Sequence, residues 1–455
     1  MRFIVLGAGD VGTTLSAQLV REQHDVVLIE RDEAKLAAAA AMLDVQALVG
    51  NGCLPEVLEK AGLNTADYFI AVANQDEINI TACITAKLLN PAAKRIARIR
   101  GISFAHKDIV KEHVDEFFDL TINPIQAAAD YLLRLLKVAG AREVIDFCEG
   151  KLQVIGLDVK SHSPFLGRKL KELANLREKL HLLIIAIVRD GELVVPRGND
   201  ELLEDDTVYC ITPPERIGML FEMVGSTFAP AKSAMIWGGG PLGRTLAHEL
   251  EAQGIQVKLI ISKKECSNDL LDEFHDILVL TGDGKDRDLL LEENIHEIDA
   301  FVSVTPDEED NILSALLAKK LGARTSMALV NKASYLPLVQ AIGVDVVVSS
   351  RAAAASAIFA HIHTEALISE FSLRYLGAGF IEVVVEAQMP IAGKTISQAK
   401  FPHGILCASM TRGDDLITPT GSTTLQPGDH LILFITRGAH TKLEKLFGKK
   451  VEIIT

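Results

Sequence analysis

Two stretches of this chain carry glycine at the spacing that lets backbone amides close on a pyrophosphate. The first is Gly7-Ala8-Gly9-Asp10-Val11-Gly12, which follows the apolar run Arg2-Phe3-Ile4-Val5-Leu6 and precedes a helix-like Thr13 to Gln23. The second is Gly238-Gly239-Gly240-Pro241-Leu242-Gly243, after Ala234-Met235-Ile236-Trp237 and before Arg244 to Gln253. In such a loop one glycine makes the tight turn, one admits the pyrophosphate to the backbone, and one lets the helix pack close to the strand. The pyrophosphate then sits on the positive end of the following helix. A single G-x-G-x-x-G is a weak signal. Here each copy sits between a strand and a helix, and the whole chain repeats around it.

Glu30 ends the second apolar strand, at the distance from Gly7 where a dinucleotide-binding fold places an acid on the adenosine ribose hydroxyls. The neighbouring Arg31 and Asp32 read as solvated charges. The second copy departs at this place: its strand runs Val257-Lys258-Leu259-Ile260-Ile261-Ser262-Lys263-Lys264, so Ile261 occupies the position of Glu30. Pro241 is expected to stiffen that loop. Two readings stand for this copy, a phosphorylated ligand contacted by Lys263 or Lys264, or a domain kept for architecture. Asn51, Asn74 and Arg98 fall near the carboxyl ends of successive strands, the ligand side of an open α/β sheet. Arg98 is expected to meet a phosphate or Asp76, with a purely structural ion pair as the alternative. The pairs Asp76-Glu77 and Glu308-Glu309 suggest acid/base chemistry or a cation site, but acids at helix starts explain them better. The histidines, His24, His106, His113 and His162 among them, form no triad or metal set. The residues therefore predict ligand binding, no catalytic group and no metal site.

Strands and helices alternate around the first fingerprint. Apolar runs at Phe3–Leu6, Val26–Ile29, Ala47–Val49, Tyr68–Val72 and Ile96–Ile99 are separated by helix-period segments near Thr14–Glu22, Glu33–Leu43, Pro55–Ala61 and Ile78–Leu89. That alternation predicts a parallel, doubly wound sheet. From about Val144 to Val224 the pattern changes to short strands, Leu152–Val159, Ile184–Arg189, Leu193–Pro196 and Thr207–Ile211, with Asp190-Gly191 as a hairpin turn. This predicts a small α+β module, repeated over Ile381–Phe447. Gly50-Asn51-Gly52 recurs as Gly282-Asp283-Gly284, and Asp76 to Asn79 as Glu308 to Asn311. The period of about 230 residues is domain-sized, so the chain is a duplication rather than a solenoid. Segments Pro124–Ala139 and Ala352–Ile368 are more apolar than free surface helices, which predicts packing on another subunit or on the other copy.

At 455 residues the length suits roughly three or four domains. With 48% hydrophobic and 24% charged residues the composition is globular. A net charge of −15 argues against a nucleic-acid partner, which needs a basic face. Six scattered cysteines without a C-x-x-C or histidines at metal spacing read as small apolar residues in a reducing compartment. With no signal-peptide pattern and no apolar run near the roughly 18 residues of a spanning helix, a soluble cytoplasmic protein is expected.

The order of Gly7 to Gly12, Glu30, Gly50-Asn51-Gly52, Asp76-Glu77-x-Asn79 and Arg95-x-x-Arg98-Ile99-Arg100, then the small module and a repeat of everything, resembles the TrkA family. These are the peripheral regulatory subunits of the Trk potassium-uptake system, built from two tandem RCK units. The resemblance covers essentially the whole chain. It implies a Rossmann-like RCK-N domain at 1–123, a crossover helix at 124–143 and an RCK-C domain at 144–230. The second set would be RCK-N at 231–350, a crossover helix at 351–370 and RCK-C at 371–455. It implies NAD(H) as ligand, with ATP or ADP at the same type of site. It also implies a homo-oligomeric ring, expected to be a tetramer, on a TrkH-like potassium transporter subunit at the cytoplasmic face of the inner membrane. Such a subunit gates potassium uptake and is not an enzyme. Carried over residue by residue, the first site would use Gly7, Ala8, Gly9, Asp10, Val11, Glu30, Ala73, Asn74 and Arg98. The second would use Gly238, Gly239, Gly240, Pro241, Leu242 and Thr305. Asn51 stands where the family often has Asp. A hydride-transferring dehydrogenase shares the fingerprint but should also place an acid or base in a substrate domain. An NAD-sensing transcription factor would need a basic reading helix.

Overall fold

The computed structural model describes residues 1–21, 23–100, 116–173, 182–226, 228–265, 270, 274, 276–332, 335, 338–339, 342–362, 367–373, 378–436, 439 and 442–447. His106, His113 and Cys266 lie outside the described residues.

The first half opens with β1 (Arg2–Leu6), α1 (Asp10–Arg21), β2 (Asp25–Glu30), α2 (Glu33–Ala40), β3 (Gln46–Val49) and α3 (Pro55–Lys60). It continues with β4 (Tyr68–Ala71), α4 (Asp76–Leu89), β5 (Lys94–Arg98) and β6 (Leu120–Ile122). The strands form one sheet in the order β3-β2-β1-β4-β5-β6, and every pairing in it is parallel. Helices on both faces bury both sides of the central strands, so β1, β2 and β4 read as continuous apolar runs rather than alternating ones. Strand order reverses between β1 and β4, which leaves the crevice where this architecture binds ligands. The three-residue β6 is too short to stand out as an apolar run, and the sequence does not announce it.

After α5 (Pro124–Lys137) come β7 (Glu143–Phe147), β8 (Leu152–Asp158), β9 (Leu183–Arg189), β10 (Glu192–Val194), β11 (Thr207–Thr212) and α6 (Ile217–Met223). The strands make an antiparallel sheet, β10-β9-β11-β8-β7. Asp190 and Gly191 both have positive φ, +51° and +79°, as a two-residue hairpin turn requires. The second half repeats the first sheet as β12 (Ser233–Trp237), α7 (Pro241–Ala252), β13 (Gln256–Ile261), β14 (Leu278–Thr281), α8 (Arg287–Glu292), β15 (Ala300–Ser303), α9 (Glu308–Lys320), β16 (Thr325–Leu329) and β17 (Val346–Val348). Its order, β14-β13-β12-β15-β16-β17, is the same. After α10 (Ser350–Ile362), β18 (Leu367–Leu373), β19 (Ala378–Val384), α11 (Ile396–Ala399), β20 (Ile405–Arg412), β21 (Asp415–Ile417), β22 (His430–Thr436) and α12 (Glu444–Phe447) form the second small module. Its sheet runs β18-β19-β22-β20-β21. The expected helix over Ala352–Ile368 therefore stops earlier: Leu367 and Ile368 already belong to β18. Pro241 does not stiffen a loop but starts α7, where a missing N–H costs nothing and the fixed φ suits the helix.

Each of the two compact units has its own core. In the first, α10 from the second half completes the initial doubly wound sheet. Ala354, Ala355, Ile358, Phe359 and Ile362 join Phe3, Val5, Leu15, Leu19, Ile70 and Ile96 in a single cluster. Tyr68 donates its hydroxyl to the Ile362 carbonyl at 3.0 Å. This helix packs on the other copy, as its apolar character predicts. In the second unit the two antiparallel sheets share a core, with Phe147, Leu152, Val154 and Ile185 against Phe380, Ile432 and Phe434. Along α5, Leu132, Leu133, Leu135 and Leu136 are buried within the single chain.

Candidate nucleotide-binding site

The first fingerprint loop is assembled by three glycines with three separate duties. Gly7 has φ +109°, and a Cβ there would sit 2.9 Å from the Ala73 amide nitrogen, so the turn and the approach of β4 both exclude a side chain. A Cβ on Gly12 would fall on the Gly7 carbonyl oxygen, which fixes the close contact of α1 with the strand end. Gly9 differs. A Cβ there would meet nothing nearer than Asn74 Oδ1 at 3.9 Å, so the fold itself does not demand glycine. The open space lies at the N-terminus of α1, the position at which dinucleotide-binding folds in general admit a pyrophosphate to the backbone.

Around that space the structure gathers several of the expected residues. Glu30, half-buried at the end of β2, accepts the Ala8 N–H at 2.9 Å through Oε2. Its Oε1 accepts the Arg31 and Asp32 N–H groups at 2.8 and 3.1 Å. Ala73 and Asn74 follow β4 and lie beside the loop. Arg98, at the end of β5, is only 8% exposed and donates Nη2 to the Ala73 carbonyl at 2.5 Å and to Asn74 Oδ1 at 3.4 Å. Its Nε has no hydrogen-bond partner among the described residues. Burial, reinforced by the Arg100 charge, lowers the Arg98 guanidinium to about 10, so it remains a cation at neutral pH. A buried cation that reaches Asn74 Oδ1, the atom nearest the open Gly9 position, fits an anionic ligand. Arg98 does not pair directly with Asp76, as one reading expected. Asp76 Oδ2 instead accepts the Arg100 N–H at 2.8 Å, an acid in the first turn of α4 holding the neighbouring strand end.

Two residues of this site were given no role by sequence alone, although Asn79 belongs to the recurring motif. Asn79, fully buried, accepts the Ala73 N–H at 2.8 Å and donates to the carbonyls of Ala73 and Arg98 at 3.0 and 2.8 Å. It ties the two strand ends that carry the site. The signal was available, since Asn311 does the same in the second copy. Arg351, at the start of α10, pairs with Asp10 at 2.7 Å at the head of α1. No local pattern announces a contact so distant in sequence.

The second loop keeps the backbone plan and loses the polar groups. Gly238 has φ +128°, a Cβ on Gly243 would fall on the Gly238 carbonyl oxygen, and a Cβ on Gly240 would meet nothing within 4 Å. Ile261, fully buried at the end of β13, fills the position of Glu30. A Cβ on Gly239 would lie 2.8 Å from Ile261 Cγ2, so glycine replaces Ala8 because the branched side chain replaces the acid. Asn311 accepts the Thr305 N–H at 2.9 Å and donates to the carbonyls of Thr305 and Leu329 at 2.9 and 3.0 Å. By that register Leu329 stands where Arg98 stands in the first copy. Lys263 and Lys264 are exposed. The Ser262 N–H is taken by Glu265 Oε2 at 2.9 Å. The acids after β15 are engaged within the chain: Asp307 caps α9 through the Asp310 N–H, Glu309 accepts from Lys332 and Tyr335, and Asp310 accepts from Lys285.

Comparison with known proteins agrees with this architecture. The TrkA-N domain matches residues 3–119 and 234–350, and the TrkA-C domain matches residues 154–225 and 380–448. The Trk system potassium uptake protein TrkA of Vibrio alginolyticus is 32% identical over 98% of this chain and 98% of its own length. A TrkA homolog of Archaeoglobus fulgidus is likewise 32% identical, over 98% of this chain and all of its own. Among solved structures, the GsuK channel superposes with a TM-score of 0.62 over 98% of this chain and 78% of that one, at 20% identity. The GsuK RCK domain gives 0.60 over 98% and 94%, also at 20% identity. With two doubly wound domains, two small α+β modules and full-length relatives of the same plan, this chain belongs to the TrkA family.

Proposed function

We propose that the chain is a nucleotide-binding regulatory subunit of a potassium-uptake system, with its working ligand site in the first fingerprint. The observation that carries this reading is the open Cβ position at Gly9, bordered by Asn74 and the buried Arg98 cation. The relatives' names describe a Trk potassium-uptake system, and one structural neighbour is a GsuK channel bound to NAD, with a TM-score of 0.61. NAD(H) is the proposed ligand, with ATP or ADP competing for the same loop. Amides at the head of α1 and the Arg98 guanidinium would hold the pyrophosphate, and Glu30 would accept from the ribose hydroxyls.

The way the ionisable groups are used supports a reading of binding rather than turnover. Glu30 already takes three backbone N–H groups, Arg98 holds the Ala73 carbonyl, and Asp76 holds Arg100. These are restraints on geometry, not acids or bases poised for proton transfer. The second copy, with Ile261 and Leu329 for the acid and the arginine, is proposed to serve architecture. Regulation then requires that nucleotide favour one assembly state over another by differential affinity. The proposed assembly is a homotetrameric ring peripheral to the cytoplasmic side of a membrane potassium transporter. Co-purification with that transporter, with and without NADH, tests it. NADH-dependent association supports the reading. A stable monomer that consumes NADH with a small substrate overturns it in favour of a dehydrogenase.

A further inference from the structure

The two small modules follow one plan, and a matched ion pair sets their register. Arg189 clamps Asp206 at 2.8 Å through both Nε and Nη2, and Arg412 clamps Asp429 at 2.7 and 2.8 Å in the same way. Counted from these aspartates, Thr207 stands where His430 stands, and Tyr209 where Ile432 stands. Gly156 pairs with Tyr209, and Glu382 pairs with Ile432. Gly156 therefore occupies the place of Glu382. The acid and the imidazole belong to one copy alone.

That acid is in an unusual place. Glu382 is 2% exposed on β19, between the buried residues Ile381 and Val383. A carboxylate in such surroundings is costly unless it is paired and hydrogen-bonded. Its Oε1 lies 2.8 Å from His430 Nδ1, and its Oε2 accepts the Cys148 N–H at 2.8 Å. Cys148 comes from the turn between β7 and β8 of the first module. There Cys148 and Glu149 take φ +52° and +56° ahead of Gly150 at +85°. Two consecutive non-glycine residues in the left-handed region are conformationally costly, and they deliver the thiol to the carboxylate. Cys148 Sγ, a Glu382 oxygen and a His430 ring nitrogen all lie within 4.8 Å of one another. Thr411 Oγ1 lies 3.8 Å from the same sulfur.

We propose that Cys148, Glu382 and His430 form a zinc-type divalent metal site joining the two small modules of one chain, with water as an exchangeable fourth ligand. Thiolate, imidazole and carboxylate together suit a borderline-soft ion, whereas magnesium and calcium prefer oxygen alone. Bonds of about 2.0–2.3 Å set tetrahedral ligand separations of roughly 3.3–3.8 Å. The ligand atoms, all within 4.8 Å of one another, close by no more than about 1 Å, while Glu382 Oε1 and His430 Nδ1, now 2.8 Å apart, open by roughly half an ångström as the ion takes the place of their hydrogen bond. His430, about a third exposed, provides the entry path and the room for water. On binding, the thiol proton leaves to solvent as the metal–sulfur bond forms. Glu382 keeps its second oxygen on the Cys148 N–H and so orients the ligand turn from behind. The linear spacing of these residues carries no hint of this arrangement; the pairing of β19 with β22 and the packing of the two sheets create it.

The test is titration of the full-length protein with Co²⁺, whose thiolate charge-transfer band in the near ultraviolet reports sulfur ligation directly. One equivalent per chain should develop this band together with the intense visible bands of a four-coordinate ion. Excess Zn²⁺ should bleach both. Cys148→Ser should abolish the ultraviolet band, and Glu382→Gln should weaken Co²⁺ binding at least tenfold. Cys53→Ser, which alters a different and more accessible thiol, should change neither. The proposal is overturned if no sulfur band appears at one equivalent, or if the band survives Cys148→Ser. If Cys148→Ser misfolds, alkylation of Cys148 in the native protein decides the matter. Protection by Zn²⁺ supports the site, and an unchanged rate rejects it.

Discussion

Glu30 is fastened to the glycine loop through the Ala8 N–H at 2.9 Å, while its counterpart Ile261 occupies the space a side chain on Gly239 would need. The same strand end thus supports the loop in two ways, by a carboxylate in one copy and by hydrocarbon in the other. A carboxylate has about four acceptor positions, so Glu30 can hold three amides and still accept from a ligand. Ile261 can hold only the loop.

Replacing Glu30 should therefore weaken NAD(H) binding. Loss of a charge-assisted hydrogen bond is worth about 1.5–3 kcal/mol, which is roughly ten- to a hundredfold in affinity. Glu30→Gln should fall near the lower end because the amide can still accept from Ala8, and Glu30→Ala near the upper. Calorimetry on the purified protein measures both. Equal affinity in Glu30→Ala and the parent would remove Glu30 from the site.

The fingerprint glycines should separate binding from folding. Gly9→Ala has room for its methyl within the chain, so its melting temperature should match the parent while NAD(H) affinity drops sharply. Gly12→Ala drives its methyl into the Gly7 carbonyl and should lower the melting temperature with or without ligand. Gly240→Ala should leave both stability and NAD stoichiometry close to the parent. Two equivalent tight sites per chain would contradict the asymmetry between the copies.

In the second copy, Gly239 and Ile261 should be energetically coupled. Gly239→Ala alone should destabilise by about 1–3 kcal/mol through overpacking against Ile261 Cγ2. In the background of Ile261→Ala that penalty should largely vanish. A double-mutant cycle by denaturant unfolding gives the coupling, expected at about 0.5–3 kcal/mol. Strict additivity would mean that the loop relaxes away from the isoleucine.

Core residues of the connecting helices should act on stability rather than on assembly alone. Phe359, 2% exposed on α10, fills the core of the first doubly wound sheet, and Phe359→Ala should cost about 3–5 kcal/mol. Leu132→Asp places a charge where the parent side chain is 1% exposed within one chain. It should lower the melting temperature at every protein concentration, because the charge is desolvated before any partner arrives. If Leu132→Asp melts like the parent in dilute solution and differs only in light scattering, α5 is an assembly surface instead.

What the amino-acid order determined by itself is local in character. Gly7 to Gly12, Glu30 and the alternation of apolar strands with helix-period segments each act within about 30 residues, and the handedness of β–α–β connections does the rest. The duplication was legible for the same reason, since Gly282 to Gly284 and Asn311 repeat a local pattern. Tertiary structure decided what each apolar or charged surface meets. Hydrophobicity marked residues 352–368 as packing on another subunit or on the other copy, but it names no partner and overran the helix end at Ile362, and only the packed chain sets α10 against the first sheet. Arg98 was visible as a charge at a strand end, yet its choice of Ala73 and Asn74 over Asp76 depends on side-chain reach and on the competing Arg100. Cys148, Glu382 and His430 are the extreme case. Nothing within a sequence window connects them, because their proximity is made by strand register and by two sheets sharing one core.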